Sequence, residues 1–155
     1  MNVIFHFLFN YIMVEAVLGN AWNNIIIIFI FSILIDIDHL PYLLKVGGGV
    51  VKKRFGSEAR TRFHEVYGLT LFSVAACVLY FFVNGQILAI ALTCVLLHLA
   101  VDFLTGKSMP FYPYSKKEIF LGVTPTGYTA KIFFEVSSTM ILGVLFWLQT
   151  GNLIL

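Results

Sequence analysis

Residues 86–104 read QILAIALTCVLLHLAVDFL. A helix needs about 20 mostly apolar residues to cross the hydrocarbon core of a bilayer, and this stretch approaches that length. Its two ionisable residues, His98 and Asp102, are four positions apart and therefore share one helix face. A charged side chain at the centre of a bilayer costs about 2.5–3.5 kcal/mol on insertion scales, so such residues usually mark a functional site. The stretch therefore predicts a transmembrane helix with a functional polar face.

The composition of the whole chain agrees with a membrane protein. Of 155 residues, 59% are hydrophobic and 12% are charged, and the mean hydropathy is +0.91. Soluble domains are about 25% charged. These values exclude a disordered chain or a nucleic-acid-binding tail, and they argue against an ordinary soluble enzyme. Cys77 and Cys94 both lie within apolar runs, which argues against a disulfide scaffold. The length predicts a single domain over residues 1–155.

Five apolar stretches predict an all-α integral membrane bundle of about five transmembrane helices. Short polar turns at Gly19-Asn20 and Asn84-Gly85 separate two pairs of stretches and predict tight helical hairpins. Longer connections, residues 38–62 and 105–127, join the remaining stretches. The predicted helices cover residues 2–18, 21–37, 63–83, 86–104 and 128–149.

Lysine and arginine predict the orientation of the bundle. The loop of residues 38–62 carries six of these residues against one glutamate, and the loop of residues 105–127 carries three lysines. The two hairpin turns carry none. Cytoplasmic loops of membrane proteins are enriched in Lys and Arg, so both long loops and the N-terminus are predicted to be cytoplasmic.

Most ionisable residues within the apolar stretches fall at one depth. With a rise of 1.5 Å per residue, they lie about 18–30 Å from the outer ends of their helices, in the inner third of the membrane or at its inner interface. Glu15 is the exception, at about 6 Å from the outer end. All five predicted helices contribute to the layer, which random placement would not produce. Its members are His6, Asp36, Asp38, His39, His64, His98, Asp102 and Glu135.

This layer predicts a metal site. Imidazole and carboxylate groups are ligands for zinc, manganese or iron(II), and a catalytic zinc needs three protein ligands and one open position. Because more candidates than that are available, one or two ions are expected. Asp38 points away from the Asp36–His39 face and is expected to support a ligand or to bind a second ion. Zinc is the expected metal, with manganese or magnesium as alternatives. The predicted ligands are His6, Asp36, Asp38, His39, His64, His98 and Asp102.

Neighbouring residues complete a hypothetical hydrolytic site. Glu65 follows a predicted ligand and lies near the interface, so we expect it to act as general base. Arg62 and Lys107 are expected to bind an anionic headgroup. The predicted substrate and partner is a membrane lipid phosphoester, and no nucleic acid is expected. Glu135 stays open between a ligand, a base and an ion-pair partner of Lys131.

The order of the polar motifs resembles the membrane-bound metal-dependent hydrolase family of the YdjM type, described as LexA-regulated inner-membrane proteins. The resemblance covers roughly residues 1–115. It rests on His6-Phe7-Leu8-Phe9, Asp36-Ile37-Asp38-His39, a motif led by His64, His98-x-x-x-Asp102-x-Leu104-Thr105, and Pro110-Phe111-Tyr112-Pro113.

The resemblance implies a multi-pass protein of a prokaryotic cytoplasmic (inner) membrane with hydrolase activity. It carries ligand roles onto five residues directly, and onto His6 and His64 less directly. The chain has Ile35 where the family usually has proline, and one histidine where the third family motif has two. Either Glu65 takes the place of the second histidine or the activity is altered. The five residues are Asp36, Asp38, His39, His98 and Asp102.

Two functions of other classes stay open. Intramembrane carboxylates and histidines also mark metal-ion or proton pathways in transporters. A pathway requires polar residues at graded depths, and only Asn10 and Glu15 lie toward the other side. The third possible function is that of a membrane protein with a purely structural metal, in which protein ligands would fill every coordination position.

Overall fold

The computed structural model describes residues 2–39, 66–112, 114, 115, 117–125 and 127–154, without the side chains at 38, 39, 128 and 152–154. Within these residues the chain forms five α-helices and no β-strand, so the predicted all-α class is confirmed there. The helices are α1 (Val3–Leu18), α2 (Ile25–Leu34), α3 (Val66–Leu79), α4 (Gly85–Thr105) and α5 (Tyr128–Ile154).

The first hairpin has the local structure that its sequence predicts. The side chain of Asn2 caps α1 by accepting a hydrogen bond from Phe5 N–H at 2.8 Å. The helix ends at Gly19 and Asn20, whose φ angles of 67° and 61° are left-handed values that favour glycine and asparagine. The polar dipeptide therefore reverses the chain as expected.

The second predicted helix, residues 21–37, is helical but not uniformly wound. A 3-10 turn at Trp22–Asn24 precedes α2, and a 3-10 segment at Ile35–His39 follows it. Hydrogen bonds in 3-10 segments span three residues rather than four, so the last turn is tighter than an α-helix. Asp36 lies in this tighter segment.

The predicted end of α3 at residue 83 and the two-residue turn at Asn84-Gly85 are wrong. The helix ends at Leu79, a turn over residues 80–84 follows, and Gly85 is the first residue of α4. Asn84 caps α4 by accepting from Gln86 N–H at 2.8 Å. Residues 80–83 are apolar or aromatic, so hydropathy alone extends the helix through them. Tyr80, Phe81 and Phe82 are exposed, however, and give no core packing that would continue it. The predicted start of this helix at residue 63 lies outside the described residues.

Among the described residues, two helices are long and apolar enough to cross a membrane, at Gly85–Thr105 and Thr129–Gly151. The other apolar helical segments, Val3–Leu18, Trp22–Ile37 and Val66–Leu79, are shorter. Half of the apolar window of α4 is buried inside the protein, whereas none of that of α5 is. Thus α4 is the central helix and α5 lies at the periphery.

The core forms where α1, α2 and α4 meet. Tyr11 and Val14 of α1, Ile28 of α2 and Ile90 of α4 are buried in one apolar cluster, and Phe146 of α5 packs against it. A second, smaller cluster lies next to the 3-10 segment. It consists of Ile35, Val95 and Leu99, with Phe31, Leu69 and Phe72 packed against them.

Glu15 stabilises the turn between α1 and α2. Its carboxylate accepts a hydrogen bond from Ala21 N–H at 2.6 Å. We expect Glu15→Ala to lower the free energy of unfolding in detergent by about 1 kcal/mol, since a hydrogen bond to a charged acceptor is lost. Glu15→Gln, which keeps one acceptor oxygen, should lose less. Thermal unfolding followed by circular dichroism measures both, and an unchanged melting temperature for Glu15→Ala would contradict this role.

Candidate metal centre

Four predicted ligands come together at the junction of three helices. His6 lies on α1, Asp36 on the 3-10 segment after α2, and His98 and Asp102 on successive turns of α4. His6 and His98 are fully buried, and Asp102 is 7% exposed. The side chain of Asp36 retains 17% exposure, so the site is least covered at that residue.

The carboxylate of Asp102 joins the two histidines. Its Oδ1 lies 3.3 Å from Nε2 of His6, and its Oδ2 lies 3.8 Å from Nε2 of His98. The spacing of His98 and Asp102 by four residues places both on one face of α4 and directs them at α1. One side chain of α4 therefore contacts both imidazoles.

The backbone sets the orientation of His98. Its Nδ1 is 3.0 Å from the carbonyl oxygen of Ser32 on α2. A carbonyl oxygen only accepts hydrogen bonds, so Nδ1 carries the proton. In the neutral ring Nε2 then holds the lone pair, and it lies 3.4 Å from Oδ1 of Asp36. Metal-binding histidines typically donate their other ring N–H to a carbonyl or carboxylate in this way.

The imidazole rings of His6 and His98 stack face to face. Their centroids are 3.8 Å apart and their planes differ by 10°. Two imidazolium ions in this contact would repel each other at close range, which favours at least one neutral ring. Neither ring nitrogen of His6 makes a hydrogen bond with good geometry to a described residue, although both are buried. Buried polar atoms of this kind call for a partner such as a cation or a water molecule.

The distances come close to those around one coordinated cation, and a modest contraction of the three grouped side chains would bring their ligand atoms into range. Ligand atoms that are each about 2.1 Å from a tetrahedral zinc ion lie about 3.4 Å from one another. The contacts among the four side chains measure 3.3, 3.4 and 3.8 Å. One ligand atom each from His6, His98 and Asp102 lies within 4.8 Å of the others. A divalent cation here would also offset the charge of two poorly hydrated carboxylates, which is costly to leave unpaired.

Several predicted site residues are not tested by these contacts. The side chains of Asp38 and His39 lie outside the described residues, as do Arg62, His64 and Glu65 altogether. Glu135 is half-buried on α5 and does not belong to the described cluster of His6, His98 and Asp102.

Lys107 lies beyond the end of α4, where an ordered loop begins. Its Nζ is 3.2 Å from Oε2 of Glu118, and both side chains are exposed. The loop is held by paired backbone hydrogen bonds between Ser108 and Ile119 at 2.9 and 2.8 Å. The hydroxyl of Thr124 donates to the carbonyl of Thr105 at 2.8 Å, which fastens the loop to the end of α4.

Ser32 is a site residue that the sequence prediction missed. It contributes a backbone carbonyl, which every residue has, so residue type carries no signal for this role. Its position is the only available signal, because Ser32 precedes Asp36 by one helical turn and therefore lies on the same face.

In the part of the chain that the structure describes, the fold and the site define an all-helical protein with two helices capable of crossing a membrane and a buried histidine–aspartate centre. A family model described as YdjM inner membrane protein matches residues 1–154. The chain therefore belongs to the YdjM inner membrane protein family, which confirms the resemblance drawn from the motifs. No curated protein and no solved structure matches the chain.

Asp102→Asn tests the metal centre directly. The substitution keeps the size of the side chain but removes the charge that both histidines contact. Since changes to groups that merely support metal ligands already cost about 10–100-fold in metal affinity, we expect a loss of at least about 100-fold here. Titration of the detergent-purified, metal-free protein with zinc measures it.

Glu15→Gln is the matched control, because it alters a half-buried carboxylate that contacts the Ala21 turn, outside the described cluster. Its zinc affinity should equal that of the unsubstituted protein. Equal losses in both variants would mean that the loss is not specific to this centre, and full affinity in Asp102→Asn would exclude Asp102 as a ligand.

Proposed function

We propose that the protein is a membrane-embedded, metal-dependent hydrolase that acts on the phosphoester of a membrane lipid. The observation that carries the proposal is the contact of two imidazoles and two carboxylates at separations of 3.3–3.8 Å within a buried site. Imidazole with carboxylate is the usual ligand set of catalytic zinc. Zinc is therefore the proposed metal, with manganese or magnesium as alternatives.

The ligands of the proposed centre are His6, Asp36, His98 and Asp102. A bound divalent cation supplies a water activated near neutral pH and polarises the scissile bond. Asp102 holds the two imidazoles together, and the Ser32 carbonyl keeps the ring of His98 oriented. The partial exposure of Asp36 favours an open coordination position at this side rather than a closed structural site.

A lipid substrate is supported by the loop that follows α4. The loop is fastened to Thr105, three residues beyond Asp102. It exposes Phe111 and Tyr114, and aromatic side chains concentrate where a membrane meets water. Lys117 is also exposed there and could pair with a phosphate group. The loop therefore suits the level of the lipid headgroups, close to the end of α4 that bears the site.

The remaining predicted roles form part of the proposal. Glu65 is the proposed general base, since it directly follows His64, a further proposed ligand, in the sequence. Arg62 and Lys107 are the proposed headgroup contacts. Asp38 and His39 are the proposed ligands or supports of a second ion. The long loops and the N-terminus are proposed to face the cytoplasm of a prokaryotic cell.

The contacts of Glu15 and Asn10 favour a hydrolase over a transporter. These two residues are the polar groups that a pathway toward the opposite side would use. Glu15 accepts a hydrogen bond from the turn at Ala21, and Asn10 donates to Ser32 and to the carbonyl of Cys94. Both are therefore engaged in contacts that stabilise the fold.

Hydrolysis in reconstituted vesicles tests the proposal. Vesicles that contain phospholipid or polyprenyl phosphate, with zinc or manganese added, should release phosphate or headgroup in the presence of the protein. Asp102→Asn should reduce the rate by more than about 100-fold, because the nucleophilic water and the electrophile both depend on the cation. Mass spectrometry of the lipids and a phosphate assay measure the products.

Glu15→Gln should hydrolyse at the unsubstituted rate, which controls for general effects on reconstitution. Zinc binding without hydrolysis of any lipid phosphoester would reject the enzyme and favour a structural metal. Metal or proton flux into the vesicles that disappears in Glu15→Gln would favour a transporter.

A further inference from the structure

A buried polar node lies next to the metal centre, away from its exposed side. Asn10 of α1 is 0% exposed. Its Nδ2 donates to Oγ of Ser32 at 2.9 Å and lies within hydrogen-bond distance of the Cys94 carbonyl at 3.3 Å. The Ser32 hydroxyl in turn donates to the carbonyl of Ile28 at 2.7 Å. One amide group therefore connects α1 to both α2 and α4.

The node is one helical turn from the centre on each of the three helices. Asn10 follows His6 by four residues, Ser32 precedes Asp36 by four, and Cys94 precedes His98 by four. Residues four apart lie nearly one above the other on a helix face, about 6 Å along the axis. A side chain that fixes these three turns relative to one another also fixes the turns that bear the ligands.

The node also controls the carbonyl that orients His98. Ser32 is one of the last four residues of α2. The backbone carbonyls of the last four residues of an α-helix lack the regular hydrogen-bond donor four residues further along the chain. This carbonyl accepts from Nδ1 of His98, while the hydroxyl of the same residue accepts from Asn10. The position of Ser32 relative to α4 therefore depends on Asn10.

We propose that Asn10 is a positioning residue of the metal centre. By holding the Ser32 turn against the Cys94 turn, its amide keeps His98 protonated on Nδ1 and turns Nε2 toward Asp36 and Asp102. The part of this inference that concerns metal affinity rests on the proposed function, whereas the part that concerns the orientation of His98 does not.

If position 10 were required only for packing between the helices, an apolar side chain would stabilise the fold better than asparagine. Oδ1 of Asn10 is buried and makes no hydrogen bond with a described residue. Leaving a buried acceptor unsatisfied is unfavourable, and interhelical hydrogen bonds in membranes add only modest stability. The two donated hydrogen bonds are the property of Asn10 that leucine, which has nearly the same size, cannot supply.

The test measures the tautomer of His98 in the metal-free protein. The chain has four histidines, so selective ¹⁵N labelling gives few signals, and His98→Gln assigns the one of interest. In the unsubstituted protein the ¹⁵N shift of Nδ1 of His98 should be that of a protonated ring nitrogen, because the Ser32 carbonyl accepts from it. In Asn10→Leu a substantial fraction should shift to the Nε2–H form, and zinc affinity should fall by about 10–100-fold.

Val14→Ala is the matched control. Val14 lies one turn from Asn10 on the same face of α1, is fully buried, and packs only in the apolar core. This variant should lose thermal stability but keep both the Nδ1–H form of His98 and the zinc affinity. Ser32→Ala removes the hydroxyl that accepts the 2.9 Å hydrogen bond from Asn10, and alanine is well tolerated in a helix. This variant should shift the tautomer of His98 in the same direction as Asn10→Leu. It provides the comparison if Asn10→Leu does not fold.

Unchanged ¹⁵N shifts of His98 in both Asn10→Leu and Ser32→Ala would overturn the proposal and reduce Asn10 to a structural contact. An equal shift in Val14→Ala would also overturn it, because packing would then explain the effect. If the unsubstituted protein binds no metal, the proposed function fails, but the tautomer measurement still decides the role of Asn10.

Discussion

The contact of Asp102 with two buried histidines is the constraint on which the described structure depends. A carboxylate in an apolar interior costs several kcal/mol unless positive or hydrogen-bonding groups surround it. Here the surrounding groups come from α1 and from α4 itself. The two imidazoles both reach the carboxylate, and their rings stack at a centroid separation of 3.8 Å. The need to satisfy one carboxylate therefore determines how closely α1 approaches α4.

The close approach of α1 to α4 also affects how the rest of the core packs. Apolar packing around Tyr11, Ile28 and Ile90 holds α1, α2 and α4 together, but apolar contacts between helices tolerate sliding. The directional contacts restrict it, with the ring of His98 bound to the Ser32 carbonyl and Asn10 bound to both neighbours. Polar contacts at two adjacent levels therefore specify the register, while apolar contacts supply most of the buried surface.

Much of this could be predicted from the sequence because helix periodicity relates spacing to faces. The spacing of His98 and Asp102 and the common depth of His6 and Asp36 anticipated the cluster that the structure contains. The end of α3 at Leu79 could not be read from hydropathy, since the exposed apolar residues of the following turn resemble helix residues. The role of Ser32 in orienting His98 could not be predicted from the sequence either. It depends on a backbone carbonyl, whose contact with His98 is evident only from the packing of α2 against α4.

The donor set also limits what the centre can do. Two carboxylates and two imidazoles in a buried space carry a net negative charge when the rings are neutral, and either protons or a bound cation would offset it. Protons on both rings would place two stacked imidazolium ions 3.8 Å apart, which is unfavourable. A single divalent ion neutralises both carboxylates without that repulsion, and the Nδ1–H form of His98 already presents a lone pair for it. The donor set is therefore compatible with a bound metal ion, and the partial exposure of Asp36 leaves the centre accessible on the side where the proposed hydrolase would need it.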